Sequence, residues 1–342
     1  MKVVDTREAV GHIICHDITR IIKDKEKGVA FKKGHIVREE DIEALLAIGK
    51  EHLYVWEKEE GMLHENEAAV ILANACQNDN MSLSDVKEGK IELSSEIDGL
   101  FVVDLERLEA INSLEHMMIA TRSTYQYVGK GDKLAGTRII PLVIEAEKMK
   151  EVEKIADKDN PIMQVRPLTL KKIGVVTTGS EVYHGRIQDT FTPVLEEKLK
   201  AFGASVVLHE TVSDEKEQIQ EAILKLREAG MDAILCTGGM SVDPDDLTPA
   251  AIKESGAEII TYGAPILPGA MFLMGYFQDS TPIMGLPGCV MYAKATVFDI
   301  VLPRVLAGMK LTKKDFIKLG NGGLCLNCPV CHYPNCGYGK GV

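Results

Sequence analysis

Four cysteines crowd the last part of the chain. Cys325, Cys328, Cys331 and Cys336 fall within twelve residues of Gly-, Asn- and Pro-rich sequence, with the spacing C-x2-C-x2-C-x4-C. Thiolates so close together are metal ligands by type. A C-x2-C-x2-C run wraps one side of a cubane cluster, although there the fourth cysteine usually follows after three residues and precedes a proline. Here it follows after four residues, in Asn335-Cys336. Zinc accepts four thiolates tetrahedrally but usually from two separated C-x2-C knuckles. Three thiols in seven residues weigh toward a [4Fe-4S] cluster, with Zn2+ the rival. Free thiols that pass metal or sulfur to a partner are the third reading. His332 lies inside the run and could replace a thiol. A segment with no core and no ligand would leave these thiols open to oxidation. The other cysteines are scattered. Cys15, Cys76 and Cys236 read as small buried hydrophobes. Cys289 follows Leu286-Pro287-Gly288 at the head of a helix, where a thiol pKa can fall. His12, Cys15 and His16 form a ligand-type cluster without a fourth ligand nearby.

A second set of residues is built for polar ligands. Three loops combine glycines with hydroxyls: Thr177-Thr178-Gly179-Ser180-Glu181, Thr237 to Asp246, and Leu286-Pro287-Gly288-Cys289. Glycine lets backbone amides approach a ligand closely, and hydroxyls add hydrogen bonds. A phosphate or polar ring could sit there against a helix N-terminus. The loops hold neither Lys nor Arg, and the second carries Asp243, Asp245 and Asp246. A phosphate facing these carboxylates needs a bridging cation, and Mg2+ suits because it takes carboxylates while keeping waters and substrate phosphates. Any one such loop could be ordinary turn chemistry. Three of them at strand ends of one domain point to a site. The Walker phosphate loop and G-x-G-x-x-G are both absent, which leaves ATPase and dinucleotide-dehydrogenase readings without an anchor.

The elements that position these loops follow from hydrophobic period and punctuation. Residues 166–310 read as alternating strands and helices. The strands are Ile173 to Thr177, Val206 to Leu208, Ala233 to Cys236 and Ile283 to Leu286. Helices open at Thr192-Pro193, Ser213-Asp214 and Thr248-Pro249, and a long one runs from Met291 to Leu306. Gly203, Gly230 and Gly256 are the stops. Continuous apolar strands joined by helices imply an α/β fold with a mostly parallel, doubly wound sheet. Ligands bind beyond the carboxyl ends of such strands.

Smaller mixed α+β and β-rich domains precede it. Residues 1–60 read as a small mixed segment, with a turn at Phe31 to His35, a helix over Arg38 to Lys50 and a strand from His52 to Trp56. Residues 61–165 read as a β-rich middle domain. It has a helix around Ala68 to Ala75, strands at Gly99 to Val103, Met117 to Thr121, Tyr125 to Val128 and Arg138 to Ile144, and a charged, linker-like helix over Lys148 to Lys158. Residues 311–342 are the cysteine-rich tail.

Composition narrows the classes. The 342 residues carry a formal charge of −12 and are 45% hydrophobic, so cores are affordable and nucleic acid is disfavoured as a partner. No apolar run approaches the roughly 18 residues of a membrane span. The N-terminal stretch is charged where a signal peptide would be apolar, so a cytoplasmic setting is expected.

Residues 171–308 resemble the molybdopterin-binding domain shared by molybdopterin adenylyltransferases and molybdopterin molybdenumtransferases. The resemblance rests on TTGSEV, on Asp189-Thr190, on TGGMSVDPDDLTPAA, on LPGAMFLMG and on GLPG. It implies that molybdopterin or its adenylate is bound with Mg2+ and that the chain assists molybdenum insertion. A non-catalytic cofactor carrier or sensor, whose tail docks a molybdoenzyme, is the alternative. Under the resemblance Asp246 and Asp189 hold the cation in the enzymatic version. Thr178, Gly179, Ser180, Glu181, Thr190, Thr237, Gly238, Gly239, Ser241, Asp243 and Asp245 belong to the cofactor site, and Pro268, Gly269, Pro287 and Gly288 shape it. A homo-oligomer, a dimer, is also implied. The sequence departs from the transferase pattern in several places. The S-x-M-D-G-Y-A segment is absent from the N-terminal part. Ser180 stands where an acid is usual, and Ala270 where a lysine is usual. The cysteine tail replaces the usual C-terminal β domain.

Overall fold

The computed structural model describes residues 2–22, 26–55, 60–157 and 160–341. Trp56 lies outside them. The chain divides into two units, one comprising residues 1–96, 103–122 and 130–164, the other residues 97–102, 123–129 and 165–342.

In the first unit, Lys2–Asp5 pairs antiparallel with His52–Val55, and Ile18–Ile22 with Glu26–Phe31. Helix Asp41–Ala47 completes this part around Ile14, Val37, Leu45 and Leu53. Helix Glu65–Cys76 is closed by a capping box of His64 and Glu67. It packs on helix Ala146–Ala156 and on a four-stranded sheet of Met81–Leu83, Ile91–Ser95, Lys133–Ile139 and Met117–Thr121. Two expectations change here. The run expected as one strand over Arg138 to Ile144 is two, Lys133–Ile139 and Val143–Glu145, and Gly136 lies inside the first. The expected linker helix buries Met149 and Val152, so it is a packed element, its charges lining only the outer face.

The second unit is built on a six-stranded sheet. Its strands are β1 (Lys172–Thr178), β2 (Ser205–Val212), β3 (Ala233–Thr237), β4 (Glu258–Tyr262), β5 (Leu273–Tyr276) and β6 (Pro282–Leu286), in the order β2-β1-β3-β6-β5-β4. β2, β1, β3 and β6 pair in parallel, and β5 and β4 add an antiparallel edge. The helices are α1 (Ser180–Tyr183), α2 (Phe191–Lys200), α3 (Lys216–Glu228), α4 (Thr248–Glu254), α5 (Val297–Leu306) and α6 (Lys313–Lys318). The two faces of the sheet carry different helices. Val175, Leu235 and Met284 pack with Leu195 of α2 and Val301 of α5, while Val176, Ile234 and Ile283 pack with Ile223 of α3 and Ile252 of α4. Successive strand residues thus point to opposite cores, as the period of two requires. This is the mostly parallel, doubly wound sheet expected. Cys236 is fully buried in the second of these cores, where burial pushes its thiol far up.

The sequence missed β4 and β5 and misplaced three helix starts, of which the one expected at Ser213-Asp214 lies at Lys216. The helix expected from Met291 begins at Val297. A short 3-10 turn, Gly288–Met291, precedes it, and Thr296 and Asp299 form a capping box at the true start. The helix expected to open at Thr192 opens at Phe191, and its cap is Asp189, whose Oδ1 accepts from the amides of Phe191 (2.8 Å) and Thr192 (3.1 Å). Gly203, Gly230 and Gly256 end their helices at positive φ as expected.

Candidate functional site

The strand order reverses at β1, whose neighbours are β2 and β3. Register then sets three loops at one level, since Thr177 pairs with Thr237 and Thr237 with Leu286. A cavity of about 580 Å3 opens at these carboxyl ends, a size suited to a cofactor. Of the residues expected at the site, Thr178, Glu181, Asp189, Thr190, Thr237, Gly238, Gly239, Ser241, Asp246, Pro287 and Gly288 line it. Gln188, Met240, Met271 and Tyr292 line it too and were not foreseen. Residues in loops carry no period by which to find them.

Close packing explains the paired glycines. Gly238 and Gly239 lie at φ +85° and +55°. A Cβ on Gly238 would stand 2.2 Å from the Thr178 carbonyl oxygen, and one on Gly239 would stand 2.8 Å from Thr248 Oγ1. Thr248 Oγ1 donates to the Gly238 carbonyl at 2.8 Å and lies 3.4 Å from Thr178 Oγ1. The loop after β3 is thereby folded hard against β1 and the start of α4. Gly288 is different, because a Cβ there would meet nothing.

The starts of α1 and α2 are already occupied, which revises the expectation that an anion would use them. Asp214 Oδ2 accepts from the Ser180 amide at the head of α1 (2.7 Å). Asp189 takes the first amides of α2, and its Oδ2 also accepts from Thr192 Oγ1 and Thr177 Oγ1. Burial works against ionisation of Asp189. The hydrogen bonds from Thr192 and Phe191 outweigh it and hold the carboxyl below its ordinary value. His209 on β2 closes this network, with Nε2 at 2.9 Å from Thr177 Oγ1 and 3.5 Å from Asp189 Oδ2. A lone histidine on an edge strand gave no sequence signal. The unused donors lie elsewhere: the amides of Gly239, Met240 and Ser241 make no hydrogen bond among the described residues. Successive free amides are donors of the kind that can receive an anion without any Lys or Arg.

Asp246 is half-buried on the cavity wall, its Oδ2 accepting from the Asp243 amide at 3.1 Å. Its Oδ1 has no partner among the described residues. Asp243 and Asp245 are exposed and do not line the cavity. One available carboxylate oxygen does not make an all-protein metal cage. Among the described residues no three His, Cys, Asp or Glu side chains form a metal-holding group. That includes His12, Cys15 and His16; Cys15 is buried, with its thiol pushed up, and its carbonyl accepts from His64 Nε2 at 2.8 Å.

Three further placements differ from expectation. Burial pushes the Cys289 thiol up, opposite to the fall expected at a helix head. Pro268 and Gly269 lie outside this cavity. The Pro268 carbonyl accepts from Tyr338 Oη, and a Cβ on Gly269 would collide with Val297. They seat the tail and α5. The tail itself is packed: Tyr338 is buried, and Cys325 and Cys336 rest against the main core.

Sequence comparisons agree with this geometry. Residues 174–307 match the family described as "Probable molybdopterin binding domain". Residues 3–57 match a domain family of unknown function. A relative in Methanocaldococcus jannaschii, "Putative molybdopterin biosynthesis protein MJ0666", is 30% identical over 146 residues, 38% of this chain and 36% of that protein. A "Putative competence-damage inducible protein" of Bacillus thuringiensis is 35% identical over 88 residues, 26% of this chain and 21% of that protein. The chain therefore spans about a third or less of these relatives' length. Among solved structures, the molybdopterin biosynthesis enzyme MoaB of Thermus thermophilus aligns at 26% identity and a TM-score of 0.36, covering 40% of this chain and 97% of that one. Residues 174–307 are a molybdopterin-binding domain of the molybdenum cofactor biosynthesis type. Among the described residues no helix is long and apolar enough to cross a membrane.

Proposed function

We infer that the α/β unit binds molybdopterin, or its adenylate, in the cavity at the ends of β1, β3 and β6, and that the chain assists molybdenum insertion in the cytoplasm. The observation that carries this reading is the loop Gly238 to Asp246. Its glycines are forced by contact, its amides at Gly239, Met240 and Ser241 make no hydrogen bond among the described residues, and it ends in one available carboxylate. In this reading Asp246 holds a hydrated Mg2+, and the ion screens phosphate charge from Glu181 and Asp189. The Gly239 to Ser241 amides donate to phosphate oxygens, and these fixed donors cost no reorganisation as charge shifts during insertion. Asp189 shapes the wall and keeps α2 in place. Met240 and Tyr292 supply apolar surface for the pterin ring.

A cofactor carrier is the second reading, with a molybdoenzyme as recipient and a dimer as the working form. One observation favours it. Asp189, one of the two carboxylates the enzymatic version needs at the cation, is committed to capping α2. Anaerobic reconstitution with molybdopterin, Mg2+ and molybdate separates the two. Insertion that exceeds the protein-free rate and is lost in Asp246→Asn supports the enzyme; tight binding with no insertion supports the carrier.

A further inference from the structure

The four tail thiols take no part in the cavity of Asp246. The segment after α6 nevertheless folds back onto the α/β unit at both its ends. The Cys325 amide donates to the Leu267 carbonyl at 2.8 Å, and within the segment the Gly339 amide donates to the Gly322 carbonyl at 2.9 Å, tying its end to its beginning. Tyr333 Oη donates to the Asp299 carbonyl (3.0 Å) and Tyr338 Oη to the Pro268 carbonyl (3.1 Å). Cys325 and Cys336 are half-buried beside these anchors, while Cys328 and Cys331 ride on the exposed loop between them. All four thiols line one cavity of about 710 Å3. Its facing wall is Tyr292 to Ala295, and Tyr292, 76% exposed, also lines the cavity of Asp246.

We propose that this second cavity is a thiolate metal site, with Cys325, Cys328, Cys331 and Cys336 as ligands, built against the wall of the pterin pocket. Its occupant is a thiophilic centre, a zinc ion or an iron–sulfur cluster. Two ligands stand on anchored backbone, so only the loop between them must be ordered on binding, which lowers the entropic cost. No three of the thiols are yet gathered about one point. Closure draws the loop inward, and it carries Leu326 and Val330, 79% and 66% exposed, toward cover. Each thiol that ligates releases its proton to solvent as the sulfur–metal bond forms, with no change of oxidation state. The metal site stands without the molybdopterin reading; only its adjacency to a pterin rests on that.

The 342-residue protein, purified anaerobically and stripped with a chelator, is titrated with Co2+ alone, and a second portion is reconstituted with equal amounts of ferrous and ferric iron and with sulfide, so that the cluster assembles without a net change of oxidation state. The expected result is one Co2+ per chain with thiolate charge-transfer and tetrahedral bands that Zn2+ abolishes, or a brown cluster absorbance. Both arms support the site, and they tell zinc from iron–sulfur. The double variant Cys328→Ser/Cys331→Ser, exposed at both positions, lowers Co2+ affinity more than about 100-fold with the metal-free melting temperature unchanged. Absence of both spectra, with all four tail thiols still reacting in excess Co2+, overturns the site. With pterin shown to be bound, unaltered cobalt bands overturn the adjacency.

Discussion

At the scale of single residues the site is a matter of a few atoms. Gly238 has no room for a methyl group, because its neighbour is a backbone carbonyl 2.2 Å from the would-be Cβ. Gly238→Ala is therefore expected to cost more than about 2 kcal/mol in denaturant unfolding, and Gly288→Ala less than about 0.5 kcal/mol. Equal costs at the two positions would refute the packing explanation. Asp246 makes a charge-based prediction. In the wild type, Mg2+ should tighten molybdopterin binding at least roughly tenfold, about 1.4 kcal/mol. Asp246→Asn should abolish that increment and leave the melting temperature unchanged. Calorimetry with and without Mg2+ measures both.

Among elements, α2 shows most clearly what the sequence hides. Thr192-Pro193 has the composition of a helix start, yet the cap comes from Asp189, three residues earlier, held by Thr177 and His209 from two strands. Propensity is local and this cap is tertiary. The same reason explains β4 and β5. Their pairing is with each other and with β6, which no local period announces. By contrast β1, β3 and β6 are continuous apolar runs buried on both faces, and they were legible, as were the glycine loops at their ends. Pro268 and Gly269 were legible as special but not as supports of α5 and the tail. Asp189→Ala is expected to cost about 1 kcal/mol. The charge has its own signature in pH. The folded carboxyl titrates below its ordinary value of 3.8, so its stabilisation is present above that value and is lost as the pH falls through the lower folded one. The stability gap between wild type and Asp189→Asn should thus be full near neutrality and shrink in acid. A gap independent of pH would assign the effect to packing.

For the whole molecule, the tail and the sheet are one unit. Arg304, 3% exposed, joins Asp315 of α6 to α5 and lies 4.0 Å from the Tyr125 ring centroid, while Tyr338 is buried in the same core. Tyr338→Ala should destabilise this unit by about 3 kcal/mol, read as a lowered midpoint for its unfolding transition; an unmoved midpoint would mean the tail is ornamental to it. The charge of −12 is likewise distributed with purpose. The ligand cavity carries Glu181, Asp189 and Asp246 and neither Lys nor Arg in its lining, which is why the proposed reading assigns an anion there to backbone amides and a cation together. The central claim is tested most directly by anaerobic titration of the full-length protein with molybdopterin in the presence of Mg2+. The account predicts saturable binding of one ligand per chain, weakened by Mg2+ removal and by Asp246→Asn. Absence of binding, under conditions where a molybdopterin adenylyltransferase binds the same ligand, would contradict it.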